Sequence, residues 1–90
     1  MDEAAFKSGL ERDGYQNIET RERTPNDRTP DHSHPYDVRA LVLAGEITLT
    51  WNGMTRAFGA GEVFTMDSDC KHTEMVGPEG LSVLVGRRPR

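Results

Sequence analysis

The sequence predicts an all-β domain: a single small β-barrel with a short N-terminal α-helix. Three observations carry that expectation. Apolar residues come in short bursts, Gly, Asn, Asp and Pro separate the bursts at close intervals, and a helical period shows only in the first fourteen residues. Many short strands with turns between them make a sandwich or a barrel.

The helix is the first element. Asp2 is placed to cap it, Phe6 and Leu10 share a face at i, i+4, and Gly14 stands where it would stop. So short a helix is marginal alone, so Phe6 and Leu10 need a surface to dock on. Residues 1–16 are expected to form the helix and lead-in, and residues 17–90 the barrel. "QNIETRER" alternates weakly and reads as an edge strand guarded by its charges, able to pair across a two-fold axis or with its own barrel. "TPNDRTPD" carries turn chemistry. Six β-like runs follow: "VRALVLA", "EITLTW", "MTRAF", "EVFTM", "KHTEMV" and "LSVLVG". They are bounded by Ala44-Gly45, Asn52-Gly53, Gly59-Ala60-Gly61, Asp67-Ser68-Asp69 and Gly77-Pro78. Asn52-Gly53 is the strongest hairpin signal, because a type I′ turn needs positive φ at both central residues.

Composition narrows the function classes. Ninety residues make one domain that buries roughly 60–65% of its unfolded surface. The net charge of −4 and the lack of a basic stripe leave nucleic acid no landing surface, and Arg87, Arg88 and Arg90 read as a solvated tail. No apolar run approaches the roughly 20 residues of a membrane helix. The acidic start "MDEAA" lacks the pattern of a signal peptide. A single cysteine cannot make an intramolecular disulfide, which points to a reducing compartment or to indifference to redox setting. The expected setting is cytoplasmic, with no membrane partner.

The chain has only three histidines, His32 and His34 in "DHSHPYDV" and His72 in "DSDCKHTEMV". Side chains alternate along a strand, so His32 and His34 would share the face lined by Val38, Ala40 and Val42, allowing a break at Pro35. The same rule puts Cys70, His72, Glu74 and Val76 on one face of a later strand. If the strands face each other, three imidazoles and a carboxylate point at one volume. Neutral imidazoles and a carboxylate suit a divalent first-row ion.

These segments resemble the two motifs of the cupin family. In "NDRTPDHSHPYDVRALVLAG" both histidines and Gly45 keep the spacing of the first motif, with Asn26 at its first glycine and Val38 at its glutamate. In "GEVFTMDSDCKHTEMV", Gly61 and His72 match the second motif, while Asp67, Asp69 and Val76 replace its proline, second glycine and asparagine. The resemblance spans residues 26–86. It implies a small jelly-roll (cupin) β-barrel, commonly a homodimer, with a metal on His32, His34 and His72.

Glu74 is the residue that can replace the missing motif glutamate, as a fourth metal ligand or, if free, as a general base. Its alternative is an ion pair at the barrel mouth with Arg39 or Arg56. Asp37 reads as a turn residue or an acceptor for a histidine N–H. Cys70 reads as a small buried residue that could also face the pocket. Tyr36, Trp51, Phe58, Phe64 and Met66 are candidates for core or cavity lining. Three functions fit: a metal-dependent dioxygenase or isomerase acting on a small polar molecule, a small-molecule-binding or sensory module, or a metal-free structural barrel. The implied ion is manganese, iron, nickel, copper or zinc.

Overall fold

The computed structural model describes residues 2–89. Helix α1 spans Glu3–Arg12 and is followed by six strands: β1 (Gln16–Arg23), β2 (Arg28–His32), β3 (Tyr36–Trp51), β4 (Met54–Gly59), β5 (Val63–Met66) and β6 (His72–Pro89). Asp2 caps α1 by accepting the Ala5 N–H at 2.8 Å. Gly14, at φ +85°, ends it in a Schellman turn, in which Tyr15 N–H reaches Leu10 O at 2.9 Å.

Strands β3 and β6 pair antiparallel along most of their length and form the spine. Their outer partners change halfway. The first half of β3 pairs with β5, and the last half of β6 pairs with β1. The second half of β3 pairs with β4, and the start of β6 pairs with β2. The hydrogen-bonded sheet therefore folds over on itself, giving the expected jelly-roll barrel as two facing layers. Ala40, Val42, Ile47, Leu49, Phe58, Met66, Val76, Leu81, Val83 and Val85 fill the space between them.

Two expected breaks are bends instead. Ala44-Gly45 and Gly77-Pro78 lie inside β3 and β6, not at strand ends. The β3–β6 register shifts between Val42 and Ala44 and again between Gly45 and Ile47, and Gly45 has φ +81°. Such a bulge turns a strand from one layer to the other without ending it. Across the bulge the inward residues change from even (38, 40, 42) to odd (47, 49). Pro78 falls where β6 has no β3 partner in register, so its missing N–H costs nothing. "TPNDRTPD" is likewise only half a turn. Asn26, at φ +61°, reverses the chain, and Arg28–His32 then forms edge strand β2. Asn52-Gly53 behaves as expected, with φ +48° and +75° joining β3 to β4.

α1 covers the outer face of one layer. Phe6, Leu10 and Tyr15 pack on Leu41 and Leu84, with Ile18, Leu43 and Val63 at the margin. A polar clasp holds the junction: Arg39 donates to Asp13 at 2.7 Å, and the Tyr15 ring lies under both Arg39 and Arg88. Leu10→Ala is expected to cost about 2–5 kcal/mol, since Leu10 is fully buried and the site has little freedom to collapse. Urea denaturation of the two proteins measures it. A loss below about 1 kcal/mol would mean that the helix is dispensable.

β1 pairs with β6 of its own chain at the end of the strand order, so it is the expected edge strand. Arg87 and Arg88 are not a solvated tail. They lie in β6 and pair with Glu19 and Asp37 at 2.9 Å each; Arg90 lies outside the described residues. Among the described residues, no helix is long and apolar enough to cross a membrane.

Candidate metal centre

His32 ends β2 and stands directly opposite His72, the first residue of β6. His34 lies between β2 and β3, and its carbonyl accepts the Asp69 N–H at 2.7 Å, which pins the turn before β6 against it. Asp69 makes that contact at φ +63°, and Asn26 at φ +61° opens the segment leading to His32. Both stand at motif glycine positions. Asn and Asp are the residues that best tolerate this left-handed backbone, so the replacements keep the geometry. From His72 to Val76, β6 is regular against Trp51–Ile47, so the expected alternation holds. His72 and Val76 are buried, Glu74 is half-buried, and Met75 on the opposite face is 45% exposed.

The four side chains converge. Donor atoms of His32, His34, His72 and Glu74 all lie within 4.8 Å of one another. The imidazole centroids are 4.2 Å apart for His32–His72, 5.0 Å for His34–His72 and 5.1 Å for His32–His34. Tyr36 stacks on His34 at 4.8 Å and fixes its plane. Such a spacing is compatible with a single first-row ion, whose bonds to N and O donors run about 2.0–2.2 Å.

The hydrogen bonds around the rings decide their tautomers. His32 Nδ1 is 2.9 Å from Pro30 O, and His72 Nδ1 is 3.0 Å from Cys70 O. A carbonyl can only accept, so both Nδ1 atoms carry the proton and, in the neutral ring, both Nε2 atoms present lone pairs. Those lone pairs face another acceptor. Glu74 Oε2 is 3.1 Å from His72 Nε2 and 3.5 Å from His32 Nε2. Acceptors gathered this way need a proton or a metal ion among them. His34 Nδ1 is also buried without a hydrogen-bond partner. The donor set therefore fits a divalent transition metal, and the Nδ1–H···O=C bonds are the usual outer supports of metal-binding histidines.

Glu74 is tied down from the other side. Arg23 of β1 donates to its Oε1 at 2.7 Å, to Asp27 at 2.9 Å and to Thr29 at 2.8 Å. The ion pair expected with Arg39 or Arg56 is thus made by Arg23; Arg39 is held by Asp13 and Arg56 by Glu62. Asp37, expected in a turn, is buried in β3, where it accepts the Ser68 N–H at 2.8 Å and a two-nitrogen contact from Arg88. Cys70 packs half-buried against the core. Val38, at the motif glutamate position, lines a cavity beside the histidines.

That cavity has a volume of about 120 Å³. Its apolar wall includes Phe64, Met66 and Val85, and Tyr36, His34, His72 and Glu74 stand on its polar side. Trp51 and Phe58 belong to the core packing instead. Arg21, Arg23 and Arg87 also line it. Of these three, the sequence names only Arg87, as part of the solvated tail, and does not single out Arg21 or Arg23. Arginines two apart in a strand must share a face, and that signal is present in "TRER".

Acid should weaken the fold through this cluster. Burial pushes the Glu74 carboxyl up, but the Arg23 hydrogen bond and charge, with His72 and His32, outweigh it and hold it below its usual range. Burial, with the neighbouring imidazoles His72 and His32, holds His34 below 6.5. Both groups then bind fewer protons folded than unfolded, so stability falls as the pH drops. The loss begins near 6.5, where unfolded His34 protonates, and continues below 4.5 for Glu74. Urea midpoints of chelator-treated protein between pH 8 and 4 should decline, and His34→Gln should flatten the upper part of that decline. An unchanged midpoint between pH 7.5 and 5.5 would contradict the assignment for His34.

Comparison with known proteins agrees with the fold. No curated protein matches the chain in sequence. A solved structure of unknown function from Rhizobium leguminosarum superposes with a TM-score of 0.76 at 22% identity, covering 81% of this chain and 69% of that one. A cupin-2 domain protein from Shewanella frigidimarina gives 0.68 at 19% identity, over 86% and 72%. KdgF from a Halomonas species gives 0.64 at 16% identity, over 84% and 86%. The cupin domain family model matches residues 21–85, most of the chain, including all four residues of the cluster. The chain belongs to the cupin family.

Proposed function

We propose that this cupin is a metal-dependent enzyme of dioxygenase or isomerase type. His32, His34, His72 and Glu74 would hold one manganese, iron, nickel, copper or zinc ion. The observation that carries the reading is the acceptor cluster: two imidazole Nε2 lone pairs and a carboxylate oxygen meet at 3.1 and 3.5 Å, beside a buried imidazole nitrogen without a partner.

When bound, such an ion supplies Lewis-acid or redox chemistry toward two oxygens of a small substrate. The chain's own contribution is positional. Pro30 and Cys70 carbonyls fix two tautomers, Tyr36 fixes the His34 plane, and Arg23 keeps one oxygen of Glu74 and leaves the other facing the rings. Held below its usual pKa by a guanidinium, Glu74 is a weak base at neutral pH, which favours the ligand role over the general base. The apolar wall keeps water away from part of the substrate.

Elemental analysis of untagged protein, incubated with each of the five ions and then dialysed, tests the reading. One ion retained at near one equivalent per chain supports it. Protein that stays empty after all five incubations would falsify it.

A further inference from the structure

β1 brings two arginines, Arg21 and Arg23, to a cavity whose walls also include apolar core residues and the polar side formed by His34, His72 and Glu74. Glu19, Arg21 and Arg23 stand opposite Val85, Val83 and Leu81 of β6, all of them core residues, so β1 turns these three side chains toward the cavity side. Arg87 continues that row on β6 and also lines the cavity. The charges on this face are matched except for one. Arg87 pairs with Glu19 at 2.9 Å and also donates to Asn17 O. Arg23 pairs with Glu74 and Asp27. Among the described residues, Arg21 makes no hydrogen bond or ion pair, yet it lines the same cavity as His34, His72 and Glu74.

We propose that Arg21 is the carboxylate-binding residue of the site, and that the substrate is a small carboxylic acid with an apolar portion. Resting on the metal reading above, this assigns the other end of the ligand. Glu74, the one carboxylate of the cluster, would offset only half of a divalent ion's charge, and the unpaired guanidinium adds to the remainder, so an anionic ligand balances the pocket. A guanidinium presents two parallel N–H donors that match the two oxygens of a carboxylate. The volume of about 120 Å³ is well under the roughly 300 Å³ of drug-sized sites, so the ligand is small. Phe64, Met66, Val83 and Val85 suit a short alkyl chain, which inorganic phosphate lacks.

Calorimetric titration with 2-oxobutanoate and with its neutral amide 2-oxobutanamide tests this on wild type, Arg21→Gln and Thr20→Gln. Thr20 lies on the opposite face of β1, beside Leu84, and serves as the control. Wild type and Thr20→Gln should bind the acid. The amide, and Arg21→Gln with the acid, should bind about ten- to a hundredfold more weakly. The metal content of Arg21→Gln should equal that of wild type. Acid and amide binding equally, Arg21→Gln binding the acid as tightly as wild type, inorganic phosphate competing better than the acid, or no acid binding at millimolar concentration would each overturn the proposal. Arg21-dependent acid binding by protein that takes up none of the five ions would uphold it and refute the metal reading alone.

Discussion

Gly45→Ala is expected to remove a large part of the protein's folding stability. A β-carbon at Gly45 would lie 1.9 Å from Gly80 O and 2.8 Å from Gly80 C, both backbone atoms. Gly80 cannot step aside cheaply, because a β-carbon of its own would stand 3.0 Å from Arg23 O, so β1 crowds it from behind. The left-handed φ of +81° adds about 1–2 kcal/mol for any residue with a side chain. Against a total stability of about 5–15 kcal/mol for a typical domain, a loss above about 4 kcal/mol is expected. Gly53→Ala is the control, since it shares the positive φ but would meet nothing within 4 Å. It should cost only about 1–2 kcal/mol. Equal urea midpoints for the two variants would sink the account of the bend.

His72→Ala should abolish metal binding, with affinity falling by more than the roughly 10–100-fold typical of outer supporting residues. His72 is 2% exposed and its Nε2 lies 3.1 Å from the Glu74 oxygen, nearer than the 3.5 Å of His32, so its loss removes a central donor. Thermal denaturation provides a second readout. An ion at a hundred times its Kd stabilises wild type by about 2.7 kcal/mol, and the variant should gain none. His32→Ala serves if His72→Ala folds poorly, because His32 is only half-buried and its loss leaves a smaller void. Metal retained at one equivalent by both variants would mean that the ion sits elsewhere.

These two variants probe different kinds of constraint. At Gly45 the limit is backbone approach between β3 and β6, the two strands that run through both layers. At His72 it is chemistry, set by a side chain whose backbone is an ordinary strand. Arg23 links them, because its carbonyl crowds Gly80 while its guanidinium orients Glu74.

Much of the site was legible in the sequence because it depends on alternation. His72, Glu74 and Val76 share a face in any regular strand, and β6 is regular there, so alternation by itself places Glu74 beside His72. His32 and His34 were legible through spacing and through the cupin resemblance. The α1 cap at Asp2, the stop at Gly14 and the Asn52-Gly53 turn are local chemistry and came out as expected. The helix docking surface was not, because Leu41 and Leu84 are far apart in the chain and meet only across β3 and β6.

What tertiary structure alone decided were the pairings and the bends. Gly45 and Gly77-Pro78 carry the composition of strand ends, and only the β3–β6 pairing shows that the chain continues through them. The partner of Glu74 had the same character. Arg39, Arg56 and Arg23 are chemically equivalent in a sequence, and the choice among them follows from β1 lying beside the last half of β6. Alternation along a strand is a property of the backbone and travels with the sequence. Which strand lies next to which is set by burial and loop closure over the whole chain, and so it appears only once the sheet has folded.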